Sequence, residues 1–335
     1  MVKTTDLPTP PRRQQMLRRW PDWVPYAATL WAAGYGLVAL GWTYTGTAVP
    51  IANGDDGDSL ALLGGVPADA AAPLFAAIAL AAGAIGLAMA RVDRPVPRSW
   101  RRFALGFGTM FATALLLVLP DVRLLALVGY LPMILVRAPF DVEFRAQLAE
   151  ALSGVYVHQV VAVIGGVLWA AATFAFARRT GAVRPGWTTP ASAARWGRVA
   201  VYVAAAIPAL YALTRWIWVL GVPLGIDPDL HAAGMADGSL WSGAWLGSFA
   251  LVGTVLTLGF VQRWGEVVPR WVPVVGGRRV PVSLAVVPAA AVSVLATSGG
   301  LSLLRSILTD DTVRLADDWA AYGPALLWPV WGVAL

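Results

Sequence analysis

The sequence predicts an all-α protein, a polytopic bundle of transmembrane helices. Hydrophobic residues make up 58% of the 335 residues and charged residues 13%, whereas a soluble domain is about one quarter charged. The apolar runs have about 20 residues, which is the length that a helix needs to cross a bilayer. Because these runs are apolar on every face, they lack the alternation that is typical of membrane β-barrel strands.

The residue inventory excludes several kinds of chemistry. The chain has no cysteine, so disulfides, thiolate nucleophiles and cysteine-ligated metals are excluded. Lys3 is the only lysine, and His158 and His231 are the only histidines. Lysine-dependent nucleotide sites, Schiff bases and histidine-rich metal sites are therefore excluded as well. We predict no metal and no cofactor.

The chain begins with a basic tail, residues 1–23, and continues as a single transmembrane domain, residues 24–335. The first apolar run is too long for the core of a cleavable signal peptide, so it predicts a membrane helix. The predicted membrane helices lie at 24–44, 71–90, 103–119, 154–177, 199–220, 241–262, 282–304 and 319–335. The last helix ends without a basic tail, as in a chain that is cut short after Leu335.

The segment at 122–136 is apolar but does not resemble the other runs. It has about 15 residues, fewer than a full crossing needs, and it contains Gly129 and Pro132. We interpret it as a re-entrant or interfacial segment.

The distribution of basic residues supports this interpretation. Nineteen of the 25 basic residues lie in the tail and in the loops 91–102, 178–198 and 263–280. The positive-inside rule places all four segments in the cytoplasm, together with the N-terminus. That placement requires that 122–136 does not cross, which leaves about eight spans. The net charge of +6 thus indicates topology and contact with membrane lipids, not nucleic acid.

The preference for arginine over lysine is typical of GC-rich coding, so we expect a bacterial inner membrane.

Arg215 lies between aromatic residues late in the predicted helix 199–220. One interpretation is that it snorkels to the outer interface, where Trp216 and Trp218 belong to the aromatic belt. The alternative is a pair with a carboxylate, because charges within the membrane are usually partnered. Asp121 is the preferred partner, since it follows a helix that ends at the same predicted level. The other candidate partners are Asp141 and Glu150.

His158 lies one turn inside the outer end of its predicted helix. It is either a hydrogen-bonded interior residue or a proton carrier. Arg215, Asp121, Glu150 and His158 share one predicted depth, and together they would form a polar cluster that opens outward.

The loop at 263–273 combines charge with aromatic residues. Its candidate functional residues are Arg263, Trp264, Glu266 and Arg270. The loop is either a cytoplasmic interfacial turn, whose arginines meet anionic headgroups, or a gate or docking loop. A second segment, Thr297–Gly300, either breaks its helix around a ligand or allows close helix packing.

The sequence contains no motif that fixes a reaction or a substrate. The leading hypothesis is a non-enzymatic, transporter- or channel-like bundle with an outward-facing polar cavity. The alternatives are an intramembrane enzyme acting on a lipid or isoprenoid, with His158 and a carboxylate as acid and base, or a structural, partner-binding subunit that uses the 263–273 loop. An acid–base pair in a pocket would favour the enzyme, and continuous water-sized space past Arg215 would favour transport.

Overall fold

The computed structural model describes residues 19–47, 49–50, 62–63, 66–92, 96–151, 154–182, 190–309 and 318–335. In this part of the chain every regular element is helical, apart from one isolated bridge between Val267 and Arg279. In chain order the helices are α1 (Trp20–Thr45), α2 (Ala68–Ala90), α3 (Arg98–Thr113), α4 (Val122–Arg137), α5 (Val142–Ala151), α6 (Gly154–Arg179), α7 (Pro190–Val219), α8 (Pro228–Ala236), α9 (Ser239–Leu258), α10 (Arg263–Glu266), α11 (Val282–Thr309), α12 (Trp319–Leu326) and α13 (Trp328–Ala334).

Seven of the described helices are long and apolar enough to cross a membrane. They are α1, α2, α3 with its π-helical extension Ala114–Val118, α6, α7, α9 with its 3-10 extension Gly259–Val261, and α11. Each coincides with a predicted membrane helix. The structure therefore confirms an all-α, multi-pass membrane protein.

The predicted last membrane helix, 319–335, is not one long helix. It consists of α12 and α13, which have 8 and 7 residues and meet at Leu327. Pro324 lies inside α12 and Pro329 lies in the first turn of α13. Proline lacks the backbone N–H of a helical hydrogen bond and its ring clashes with the preceding turn, so a continuous helix is unfavourable here. The described residues thus hold seven helices of spanning length, where the sequence predicted about eight.

The ambiguous segment forms α4, a helix of 16 residues that is not among those of spanning length. The Asp121 carboxylate caps its first turn by accepting a hydrogen bond from the Arg123 N–H at 2.8 Å. The shorter α5 follows, with 10 residues. A short helix at this position agrees with the prediction; its re-entrant or interfacial location stays a prediction.

The chain divides into two compact units. Unit 1 comprises residues 1–49, 67–115 and 163–184, and unit 2 the remainder. In unit 1, α1 and α2 pack closely through small residues: a Cβ on Gly36 would collide with Leu80, and Gly83 lies against Ala33. Trp169 of α6 is fully buried in the same unit, with its ring edge-on to Phe111 at 5.0 Å between centroids.

Three helix ends meet at one end of unit 1. Arg179, the last residue of α6, donates to the carbonyl of Met89 at 3.3 Å, near the end of α2. Arg101, in the first turn of α3, donates to the carbonyl of Thr180 at 3.1 Å. Arginine side chains thereby satisfy carbonyls that helix ends leave unpaired. The basic segments that flank α2, α3 and α6 therefore begin at the same end of the unit, as the predicted topology requires. Which side of the membrane this end faces stays a prediction.

In unit 2, α7 and α9 pack against each other in opposite directions. Trp216 donates to the Ser248 hydroxyl at 3.2 Å near one end, and Thr254 donates to the Ala205 carbonyl at 3.3 Å near the other.

The helix α11 packs against α4 and α13 in the same unit. The Val122 N–H of α4 donates to Ser302 at 3.0 Å, while Gly300 lies against Pro329 and Gly332 against Thr297. The segment Thr297–Gly300 lies inside the continuous α11. The packing interpretation of this segment therefore holds, and a break around a ligand is not found.

Candidate functional site

A cavity of about 450 Å³ lies at one end of unit 2. Residues from the end of α9, from the segment 264–280, from the first half of α11 and from α13 line it. Its wall is almost entirely apolar, for example Leu256, Phe260, Val268, Ala289 and Trp331. No aspartate, glutamate, histidine, lysine or arginine is among the described residues that line it.

The described wall contains few polar groups. The Thr257 hydroxyl donates to the Gly253 carbonyl of its own helix at 2.8 Å. The indole N–H of Trp331 is buried and has no acceptor among the described residues. The described wall can therefore bind an apolar group, and its side chains include no titratable acid or base.

Glycines at the end of α9 shape one wall of the cavity. A Cβ on Gly259 would be 2.7 Å from the Trp264 ring, so Trp264 folds directly over that glycine. A Cβ on Gly265 would overlap the Gly259 carbonyl. Since a glycine is needed at both positions, these two residues allow the chain to turn back closely against the end of α9.

From α10 onward the chain forms a small hairpin, residues 263–280, which we call the arginine hairpin. Its two arms are joined by the bridge between Val267 and Arg279, and the Val268 N–H donates to the Arg278 carbonyl at 2.9 Å. The tip contains two residues with left-handed backbone conformation, Val274 at φ 68° and Gly277 at φ 77°. Val268 and Val280 face the cavity from this hairpin.

The hairpin presents charge to the outside. Its arginines are all exposed: Arg263, Arg270, Arg278 and Arg279. Glu266 is exposed as well. Within the described ranges no carboxylate forms an ion pair with any of these arginines; the ion pair found there joins Arg137 and Asp141 at 2.8 Å. Of the predicted loop residues, Trp264 thus lines the cavity, whereas Arg263, Glu266 and Arg270 lie at its exposed margin.

Arg215 is held by two aromatic rings and a backbone carbonyl. Its guanidinium is 4.1 Å from the ring centroid of Trp218 and 4.7 Å from that of Tyr211. Nη2 donates to the Ala321 carbonyl at 3.2 Å, and Nη1 is buried without an acceptor in the described part. Cation–π contacts and a carbonyl thus hold this charge.

The predicted pair between Arg215 and Asp121 is not found among the described residues. Asp121 is buried, 1% exposed, and its carboxylate serves as the cap of α4. The alternative partner Asp141 pairs with Arg137, and the side chain of Glu150 lies outside the described residues. The sequence argument matched these residues by depth, but depth does not fix the face of a helix on which a side chain lies.

The predicted polar cluster stays a prediction. The Asp121 N–H donates to the side-chain oxygen of Gln159 at 3.4 Å, so Asp121 lies beside the residue that follows His158. His158 and Gln159 are both buried. None of the three lines the cavity.

The sequence analysis missed the ordered loops around Trp218. The Trp218 indole donates to the Leu224 carbonyl at 2.8 Å, and its own carbonyl is 2.9 Å from His231 Nε2. The Asp227 N–H donates to Asp318 at 2.8 Å. One signal was present: Asp227-Pro228 is a typical helix start, and Asp227 caps α8.

The described residues contain no group of histidines and carboxylates that could hold a metal ion. Comparison of the chain with models of known families, with curated proteins and with solved structures gives no match.

Proposed function

We propose that this multi-pass membrane protein binds the apolar chain of a lipid-like molecule in the cavity beside the arginine hairpin, and that it is a carrier of transporter type. The observation that carries the proposal is the cavity of about 450 Å³ with an apolar wall. Its volume falls in the range of about 300–1,000 Å³ that is typical of small-molecule sites. The outward polar cavity of the sequence hypothesis is replaced in this proposal by an apolar one.

The composition of the wall favours binding over catalysis. General acid–base chemistry needs a titratable group within hydrogen-bond reach of the reacting atom. The wall, as far as the structure describes it, contains no such side chain, and His158 and Asp121 are not part of it. A carrier therefore fits this site better than the alternative of an intramembrane enzyme.

The surrounding bilayer limits what the apolar wall can achieve. Moving a CH₂ group from water into an apolar site is worth about 0.8 kcal/mol. A chain that comes from the bilayer gains much less, because lipid tails are as apolar as the wall. The cavity can thus hold a chain. To select one ligand over another, the protein must use the shape of the cavity or polar groups outside the wall.

A matched pair of substitutions on α11 tests the proposal. Ala289 lines the cavity, whereas its neighbour Ala290 is exposed and does not. Ala289→Phe should weaken binding of a fluorescent fatty acid to the purified protein by about tenfold, because the ring displaces two or more CH₂ groups. Ala290→Phe adds the same ring elsewhere and should leave the affinity unchanged. Equal affinities of the two variants would refute a binding site in the cavity.

A further inference from the structure

The exposed arginines of the hairpin lie directly beside the cavity wall in sequence and in space. Arg263 precedes Trp264 and Arg270 follows Pro269, and both neighbours line the cavity. Arg278 and Arg279 directly precede Val280, which also lines the cavity. Exposed arginines therefore adjoin the apolar wall along the chain.

The fold of the tip brings the backbone segments that carry two of these arginines near each other. Gly276 lies so close to the Arg270 backbone that a Cβ there would be 2.8 Å from its carbonyl oxygen. The Gly277 N–H donates to the Val268 carbonyl at 2.8 Å. Arg270 and Arg278 thus flank the same closed turn.

We infer that the ligand of the cavity is an anionic phospholipid, whose acyl chain lies in the cavity and whose phosphate is bound by Arg270 and Arg278. This inference rests on the proposed function and names its ligand class. Guanidinium groups match phosphate oxygens through two parallel hydrogen bonds, and the hairpin offers them no carboxylate partner among the described residues.

The apolar tip of the hairpin supports a lipid, rather than a soluble anion, as the ligand. Trp271 and Val274 are 82% and 89% exposed. Exposed tryptophan next to arginine is the composition of a membrane interface, where phospholipid headgroups lie. The phosphate would meet the arginines there while its chain enters the adjoining apolar wall.

The chain offers a matched control for positive charge in general. Arg195 and Arg198 are exposed on the first turns of α7. This end of α7 lies beside the hairpin end of α9, because Ala205 contacts Thr254. The variant R195Q/R198Q therefore removes the same charge at the same end of unit 2 as R270Q/R278Q, but away from residues that line the cavity.

The test measures binding of two chain-labelled lipids, phosphatidylglycerol and phosphatidylcholine with identical acyl chains, to the full-length protein in detergent. Phosphatidylglycerol should bind about 25-fold more tightly, because the choline cation of phosphatidylcholine offsets the charge of its phosphate, and R270Q/R278Q should remove this preference, at about fivefold for each arginine. R195Q/R198Q should retain it. The single variant R278Q, which should lose about fivefold, serves as a second measurement if the double variant does not purify as a folded protein.

Each other outcome overturns a defined part of the proposal. A preference that survives R270Q/R278Q, or that R195Q/R198Q removes equally, would refute phosphate binding by these arginines. Binding of inorganic phosphate to the full-length protein at least as tight as that of phosphatidylglycerol would identify a site for free phosphate and refute the lipid assignment. Ala289→Phe should weaken both lipids alike; if it weakens neither, the proposed function itself fails, whatever the arginine variants do.

Discussion

The two ends of α9 differ in how their polar groups are satisfied. At the end where α9 begins, which we call the Trp218 end, Trp218, Arg215 and Asp318 each make hydrogen bonds to neighbouring backbone. At the end where α9 stops, the arginines of the hairpin are exposed and lie beside an apolar cavity. Internal hydrogen bonds hold the polar groups at the Trp218 end. At the hairpin end the charged side chains are exposed, and the apolar wall is open to a ligand. We therefore expect substitutions to affect mainly stability at the Trp218 end and mainly binding at the hairpin end.

The largest expected effect on stability is that of Trp218→Ala. Trp218 is 3% exposed and packs with Ile226, Leu240 and Ala320. Its loss removes this packing, a hydrogen bond and the ring beneath Arg215. We expect the free energy of unfolding in detergent to fall by about 3–5 kcal/mol, as is typical when a large aromatic residue is removed from a core.

The matched control at the other end is Trp271→Ala. Trp271 is 82% exposed, so its removal should change the free energy of unfolding by less than about 0.5 kcal/mol. Equal losses of stability in the two variants would contradict the proposed difference between the ends of α9.

A smaller effect tests what holds Arg215 at the Trp218 end. Arg215→Leu removes cation–π contacts worth up to about 2 kcal/mol, but it also removes a buried charge without a described counter-ion. We expect a net change in the free energy of unfolding of less than about 1 kcal/mol.

The same variant decides whether Arg215 and Asp121 interact. Asp121→Ala should cost about 1 kcal/mol through the lost cap of α4. Because the structure shows no ion pair between them, the effects in Arg215→Leu/Asp121→Ala should add to within about 0.5 kcal/mol. A double-mutant cycle with a larger coupling free energy would restore the paired site that the sequence predicted.

The sequence was sufficient for features that depend on position along the chain. Apolar length predicted all seven described helices of spanning length, and Gly129 and Pro132 marked the shorter α4. Pro324 and Pro329 also stood in the sequence as signals of the interruption between α12 and α13, but the apolar composition of the segment outweighed them in the prediction.

Features that depend on the orientation of side chains around a helix were not predictable. Depth placed Arg215 near one end of its helix, but its partners, Trp218 and the Ala321 carbonyl, depend on the face that it occupies and on a segment about one hundred residues later. The cavity likewise depends on how three consecutive elements, α9, the arginine hairpin and α11, pack with the more distant α13. The one signal of the cavity in the local sequence was the pair of glycines at the end of α9. Such glycines also occur where helices simply pack closely, so they did not indicate a cavity.

The smallest expected effect concerns pH at the Trp218 end. The Asp237 carboxylate accepts a hydrogen bond from the Ser239 N–H at 2.8 Å, at the start of α9. This backbone hydrogen bond holds the pKa of Asp237 below its usual value. A group with a lowered pKa in the folded state stabilises that state above the pKa of the unfolded chain, about 3.9 for aspartate. Its contribution is lost as the pH falls through the folded-state pKa.

The melting temperature of the native protein should therefore exceed that of Asp237→Asn near pH 7, and the difference should disappear as the pH falls below about 4. The matched variant at the hairpin end is Glu266→Gln. The Glu266 side chain accepts no hydrogen bond from the described residues, so this substitution should leave the melting temperature unchanged near pH 7. If Glu266→Gln lowers it as much as Asp237→Asn, the charge of the carboxylate matters, and not its hydrogen bond to the start of α9.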